Sequence, residues 1–284
     1  MKQRKRLGLP PHLYAVPLTG VRDPVPPYEW IIDAPARNAI ALREGSLDLA
    51  FLTPIDYARE SSLYYIVPGI AVSSRGGDGT VALLFREGLH RLRSLAIDPS
   101  SASEIILARV ILAEQFDLRP AMVPYQGAPG KALANADAVL VVGDTALRML
   151  QEHDNSLDLV EEWEDMTTLP YVHGLWCGRE NAADAEDLSL LLRLCTEGRG
   201  KVDALSEAAA HDRRLGSLNA PRILEYLEGL SFDGTEEIEQ GLREFIRYAY
   251  YHGALPDIPD LQYYGSSPAA ETDEDPPLVP PAVH

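Results

Sequence analysis

The chain has 284 residues, 46% hydrophobic and 24% charged, which suits one large or two ordinary water-soluble domains, each with a real core. A net charge of -18 argues against a nucleic-acid partner, because phosphate binding needs a stripe of Lys and Arg that the sequence lacks. Cys177 and Cys195 are too few for a disulfide framework and lack metal-ligand spacing, so both are expected to be reduced packing thiols.

The start, MKQRKRLGLPPHLYAVPL, has the basic opening of a signal peptide, but Pro10, Pro11 and His12 interrupt any apolar stretch that would follow. No other run approaches the roughly 18 apolar residues of a membrane span, so the expectation is a cytoplasmic protein with no membrane partner. Lys2, Arg4, Lys5 and Arg6 are expected to form a solvated end. Strands are predicted at 13–18 and 28–33, then a helix over 34–46 ending at Gly45. A strand at 47–54 and a short helix from Ile55 complete a strand-helix-strand unit of a largely parallel, doubly covered sheet.

A Gly-rich loop, SSRGGDG, closes at Gly79. A strand follows at 80–85, and another at 92–98 leads into a helix reaching Phe116. Ser101, with Glu104 three residues on, has the form of a capping box ahead of an apolar stripe. Ser100, Ser101 and Ser103 crowd the positive end of that helix dipole, where a carboxylate would be welcome. Strands at 120–126 and 138–144 come next. The second breaks at Gly143, which allows a sharp turn, and Asp144 is placed to cap a helix from Thr145. The orphan amides of that first turn face whatever sits above the strand. The apolar segment at 169–176, with Pro170 near its start, reads as a strand reached from a loop. Helices are then predicted at 183–212, 220–231 and 235–253, the last starting at Thr235 and stopping at Gly253. From Ser266 onward the chain is acidic and Pro-rich and is expected to be disordered.

These elements assemble as two α/β lobes, residues 80–176 being inserted into a lobe built from 1–79 and 177–265. The crossings are expected near Thr80 and Pro170, with a ligand cleft between the lobes. No histidine pair has metal-ligand spacing, so no metal is expected. His12 and His173 are placed on strands approaching the cleft, His173 packing against Trp176 or a neighbouring strand.

LREGSLDLAFLTPIDYAR, GTVALLF, LAIDPSSAS, LVVGDTALRM, DLVEEWEDMTTLPYVHGLW and EYLEGLSFDGTEEIEQGLREFIRYAYYHG follow one another in the order and spacing of the MqnA family, which the chain resembles from about Leu13 to Gly253. The resemblance implies a two-lobed periplasmic-binding-protein type II-like fold with two crossover strands. It also implies a cytoplasmic lyase without a cofactor, which removes water from chorismate to give 3-enolpyruvylbenzoate in the futalosine route to menaquinone. In that family the substrate's own enolpyruvyl carboxylate is thought to act as base, and aromatisation supplies the drive. Carried over by position, the resemblance assigns catalytic contacts to Tyr14 and Thr80. It assigns substrate-binding contacts to Ser101, Ser103, Gly143, Asp144, Thr167, Leu169 and Pro170.

Three positions depart from the family pattern. Tyr14 stands where relatives have Asn, Glu104 where they have Ser, and Thr168 where they have the Gly of Thr-Gly-Leu-Pro. The competing expectation is a non-catalytic relative that binds a small carboxylate in the same cleft. A dihydroxynaphthoate synthase, the sister enzyme of that pathway, would show a His-Ser-Pro-Asp start that is absent here. The oligomeric state stays open.

Overall fold

A computed structural model describes residues 4–19, 27–212 and 215–265; the acidic Pro-rich tail lies outside them. The first part of the chain contributes β1 (Lys5–Leu9), α1 (Val16–Thr19), β2 (Tyr28–Ile32), α2 (Pro35–Arg43), β3 (Leu49–Leu52), α3 (Pro54–Arg59) and β4 (Tyr64–Ser74). It continues with β5 (Val81–Phe85), β6 (Ser94–Ile97), α4 (Ala102–Phe116), β7 (Ala121–Pro124), α5 (Pro129–Asn135), β8 (Ala138–Val142), α6 (Asp144–Met149), β9 (Ser156–Asp158) and α7 (Leu159–Thr167). The last part supplies β10 (Tyr171–Arg179), α8 (Ala185–Arg199), α9 (Val202–Ala209), α10 (Ala220–Glu228), β11 (Leu230–Asp233) and α11 (Glu236–Tyr251).

Two sheets result, one of six strands in the order β11-β4-β10-β3-β1-β2 and one of five in the order β7-β6-β8-β5-β9. The chain leaves the first sheet after Ser74, joins the second at Val81, and returns between Asp158 and Tyr171. Both sheets are mixed rather than largely parallel. β1 runs parallel to β2 and β3, whereas β10 runs antiparallel to β3 and β4. In the second sheet β6 is parallel to β7 and β8, and β5 antiparallel to β8 and β9. Strands that arrive through the crossings run against their neighbours, which is why the parallel pattern of the opening unit does not extend.

The opening of the chain differs from its sequence reading. Residues 13–18 form not a strand but a 3-10 turn at Leu13–Ala15 followed by α1. A short apolar run carries no decisive period, and Pro17 is well tolerated in the first helical turn. The strand lies earlier, at β1, which draws Lys5 out of the solvated end expected for it, whereas Arg4 and Arg6 are exposed and Lys2 lies outside the described residues. Lys5 bridges Asp187 of α8, whose carboxylate also accepts from Tyr28 Oη at 2.6 Å. β4, β9 and β11 are further strands that the sequence reading did not place, β11 beginning at Leu230 within the helix expected over 220–231. In β4 the register against β10 slips between Ala71 and Ile66, and the bulge absorbs Pro68 and Gly69 where no ladder bond is needed.

A continuous apolar core joins the lobes. It runs from Leu52, Ile55 and Tyr57 through Leu107 and Ile111 of α4 and Trp163 of α7 to Phe245 and Ile246 of α11. α11 starts as its sequence indicates, with the Thr235 hydroxyl accepting from the Ile238 amide, and Gly45 and Gly253 adopt the positive φ of helix stops.

Candidate functional site

Between the lobes lies a cleft of about 250 Å³, bounded on one side by Pro11, His12 and Thr53 and on the other by Ser100, Ser101 and Glu104. Asp98, Tyr125 and Thr145 extend its rim, and among the described residues no Lys or Arg lines it. An anion held there must rely on backbone amides and hydroxyls. The N-terminus of the fifteen-residue helix α4, whose first-turn amides have no partner within the helix, borders this space.

The capping box expected at that terminus does not form, since Ser101 makes no side-chain cap bond. Its hydroxyl is left facing the cleft. The Glu104 carboxylate instead takes a bond from its own backbone amide, and its pKa is pushed up to about 6, chiefly by burial, with Asp56 adding and His173 opposing. Ser103 is buried and does not line the cleft; its hydroxyl accepts from the Ile55 amide at 3.1 Å and ties α4 to α3.

Gly143 is the turn expected between β8 and α6. Its φ of 64° is left-handed, and a Cβ there would lie 2.7 Å from His12 Nδ1. The glycine thus makes room for an imidazole from the other lobe. Asp144 does not cap α6. Its Oδ1 accepts from the Leu13 amide at 3.0 Å, a second link between lobes. His12, just ahead of the 3-10 turn rather than on a strand, is kept neutral: burial first, then His173, lowers its pKa to about 4.

Next to Tyr14 stands a largely buried polar cluster, of which the sequence had marked Thr80 and His173 but not Ser74 or Asp78. His173 Nε2 lies 2.8 Å from Asp78 Oδ2 and 2.8 Å from Ser74 Oγ, and Ser74 also donates to Asp78. Asp78 Oδ1 accepts from the Thr80 amide at 2.8 Å and its hydroxyl at 2.7 Å. Burial alone would raise the Asp78 pKa, but the imidazole and the Thr80 donors hold it below the ordinary carboxylate value. His173 therefore does more than pack. Its ring stacks on Tyr14 at a centroid distance of 5.7 Å and meets Tyr171 edge-on at 5.1 Å. Tyr14 is buried between His12, His173 and Phe51 rather than lining the cleft. Asp78, which joins these groups, stood in the sequence only as an Asp inside a Gly-rich loop, and its partner His173 lies 95 positions along the chain.

Thr167, Leu169 and Pro170 stand apart from this constellation. The Thr167 hydroxyl donates to Trp163 O and accepts from the Leu169 amide, and Pro170 O accepts from Trp163 Nε1 at 3.3 Å. Leu169 lines a separate groove with Arg243 and Arg247. Thr168 sits between them at φ 61°, the left-handed stop of α7.

A family profile described as menaquinone biosynthesis matches residues 7–251. A chorismate dehydratase of Thermus thermophilus is 26% identical over 232 residues, covering 74% of this chain and 83% of the relative. Among solved structures, a protein of Archaeoglobus fulgidus superposes with a TM-score of 0.67 at 16% identity, over 88% of this chain and 98% of that one. The periplasmic aliphatic sulphonate-binding protein of Escherichia coli gives 0.65 at 16% identity, over 91% and 95%. These likenesses identify the architecture as the two-lobed periplasmic-binding-protein fold.

Proposed function

The chain belongs to the menaquinone biosynthesis family, and on that premise we propose that it is a chorismate dehydratase, eliminating water from chorismate to give 3-enolpyruvylbenzoate. The observation that carries this reading is the interlobe cleft, where the amide end of α4 and the Ser101 hydroxyl meet without a lysine or arginine among the described lining residues, the hydroxyls of Thr53 and Ser100 being spent on Asp56 and Asp98. Such donors suit a ring acid whose carboxylates are held by directed hydrogen bonds. The chemistry asks little more of the protein. Loss of the C4 hydroxyl and the C3 proton makes the ring aromatic, so the site must orient the substrate, exclude water and let the enolpyruvyl carboxylate reach the C3 proton.

In this reading Thr80 and Tyr14, both buried and neither lining the cleft, would meet the substrate only if it reaches past the cleft wall. The Thr80 hydroxyl spends its proton on Asp78, so toward a substrate it acts as an acceptor. Tyr14 offers a phenol in place of the amide that relatives carry, on a ring fixed by His173.

A second reading, a non-catalytic relative that binds a small carboxylate, is favoured by Glu104 standing unneutralised in the cleft. Incubating the purified protein with chorismate and following product by chromatography and absorbance separates the two. Product formation supports the dehydratase; tight chorismate binding by calorimetry without turnover supports the binding protein.

A further inference from the structure

The cleft contains a carboxyl group that the reaction as described leaves unused. Glu104 lies on the first turn of α4, one turn past Ser101, and lines the cleft beside Ser101, Thr53 and His12. The groups facing it come from every element packed around it. Asp56 belongs to α3, His12 and Tyr14 to the turn before α1, Tyr171 and His173 to β10, and Asp98 and Tyr125 to the rim. His173 is engaged with Asp78 and Ser74, and His12 is neutral. Burial and Asp56 favour the protonated acid, which lifts Glu104 to about 6. A dianion bound at the same helix end would favour it further.

Hydroxide is a poor leaving group, and an elimination that expels it gains from a proton delivered as the bond breaks. Resting on the dehydratase reading, we propose that Glu104 is the general acid that protonates the departing C4 hydroxyl of chorismate. The C4–O bond breaks with its electron pair going to oxygen, which takes the Glu104 proton and leaves as water. The electron pair of the C3–H bond becomes the new ring double bond, and the C3 proton passes to the enolpyruvyl carboxylate of the substrate. That proton returns to the Glu104 carboxylate before the next turnover, so the balance is chorismate to product plus one water with no outside reactant. The scheme also removes the electrostatic objection to this residue, because a neutral acid beside a dianion repels nothing.

The test measures kcat and KM for chorismate from pH 5 to 9 on the full chain and on Glu104→Gln, which preserves size and hydrogen bonding but has no acid proton. The expected result is a kcat lower by about 100-fold or more, with KM within about threefold and loss of the alkaline limb that the wild type shows. Glu104→Asp, which retains an acid on a shorter arm, should keep part of the rate and a displaced limb; it serves equally if the Gln variant does not fold. A folded Gln variant within twofold of wild-type kcat, or an alkaline limb unchanged in either variant, overturns the assignment of Glu104 while leaving the dehydratase reading in place. No turnover by the wild type overturns that reading, and this inference with it.

Discussion

His173 Nε2 and Asp78 Oδ2 meet at 2.8 Å where the two connections between the sheets pass each other. Asp78 lies on the outgoing connection and His173 near the start of the returning strand, so one buried contact holds both. Arg75, exposed above it, reaches Glu164 of α7 at 2.6 Å and also bridges Glu237 of α11. An exposed pair of this kind contributes little. The buried cluster is where stability and site geometry are coupled.

Asp78→Ala strands the Thr80 amide and hydroxyl, the Ser74 hydroxyl and the imidazole in a dry environment. The expected loss is about 3 kcal/mol of unfolding free energy, the scale of breaking a buried charged network. Urea denaturation checks it, and a loss under about 1 kcal/mol would mean that water reaches these groups.

Thr168 holds a left-handed backbone at φ 61° with a β-branched side chain. That conformation costs roughly 1–2 kcal/mol in a residue other than glycine, against which glycine brings a smaller loss of chain entropy. Thr168→Gly should therefore stabilise the protein by about 1 kcal/mol. A lower melting temperature in this variant would contradict the argument.

Gly143→Ala places a methyl group 2.7 Å from His12 Nδ1 on a backbone at φ 64°. Strain and clash together should cost about 2 kcal/mol or more. The imidazole should also shift in the cleft, seen as a changed His12 ring resonance by NMR.

Glu104 resists ionising in the folded chain, so its contribution to stability falls as pH rises from its ordinary value of 4.5 through about 6. Glu104→Gln should match the wild type below that window. Above it the variant should be more stable by about 2 kcal/mol, the linkage equivalent of the shift. Denaturation at pH 4 and pH 7.5 reads the difference, and equal stability at both would place the carboxylate in water.

If Tyr14 presents its hydroxyl to the substrate, Tyr14→Phe should lower kcat/KM for chorismate by about 1–3 kcal/mol, the worth of one buried hydrogen bond. Its ring contacts with His173 and Phe51 would survive, so the melting temperature should move little. Unchanged kcat/KM would show that the phenol serves packing alone.

The sequence by itself determined the α/β class, the resemblance that set its family, the helix start at Thr235 and the stops at Gly45 and Gly253. It also marked the sharp turn at Gly143. Each of these rests on neighbours within a few residues, where periodicity, a capping hydroxyl or a freed φ acts directly. Tertiary structure decided the rest. Lys5 belongs to a strand because Asp187, far along the chain, receives its ammonium, and residues 64–74 form a strand because β10 pairs along one edge, across a bulge at Pro68, and β11 along the other. Ser101 and Glu104 have the spacing of a cap, yet packing of the lobes turns them toward a cleft. The pairing of Asp78 with His173 carries no local signal, since a contact between the outgoing connection and the returning strand β10 exists only once both crossings have been made.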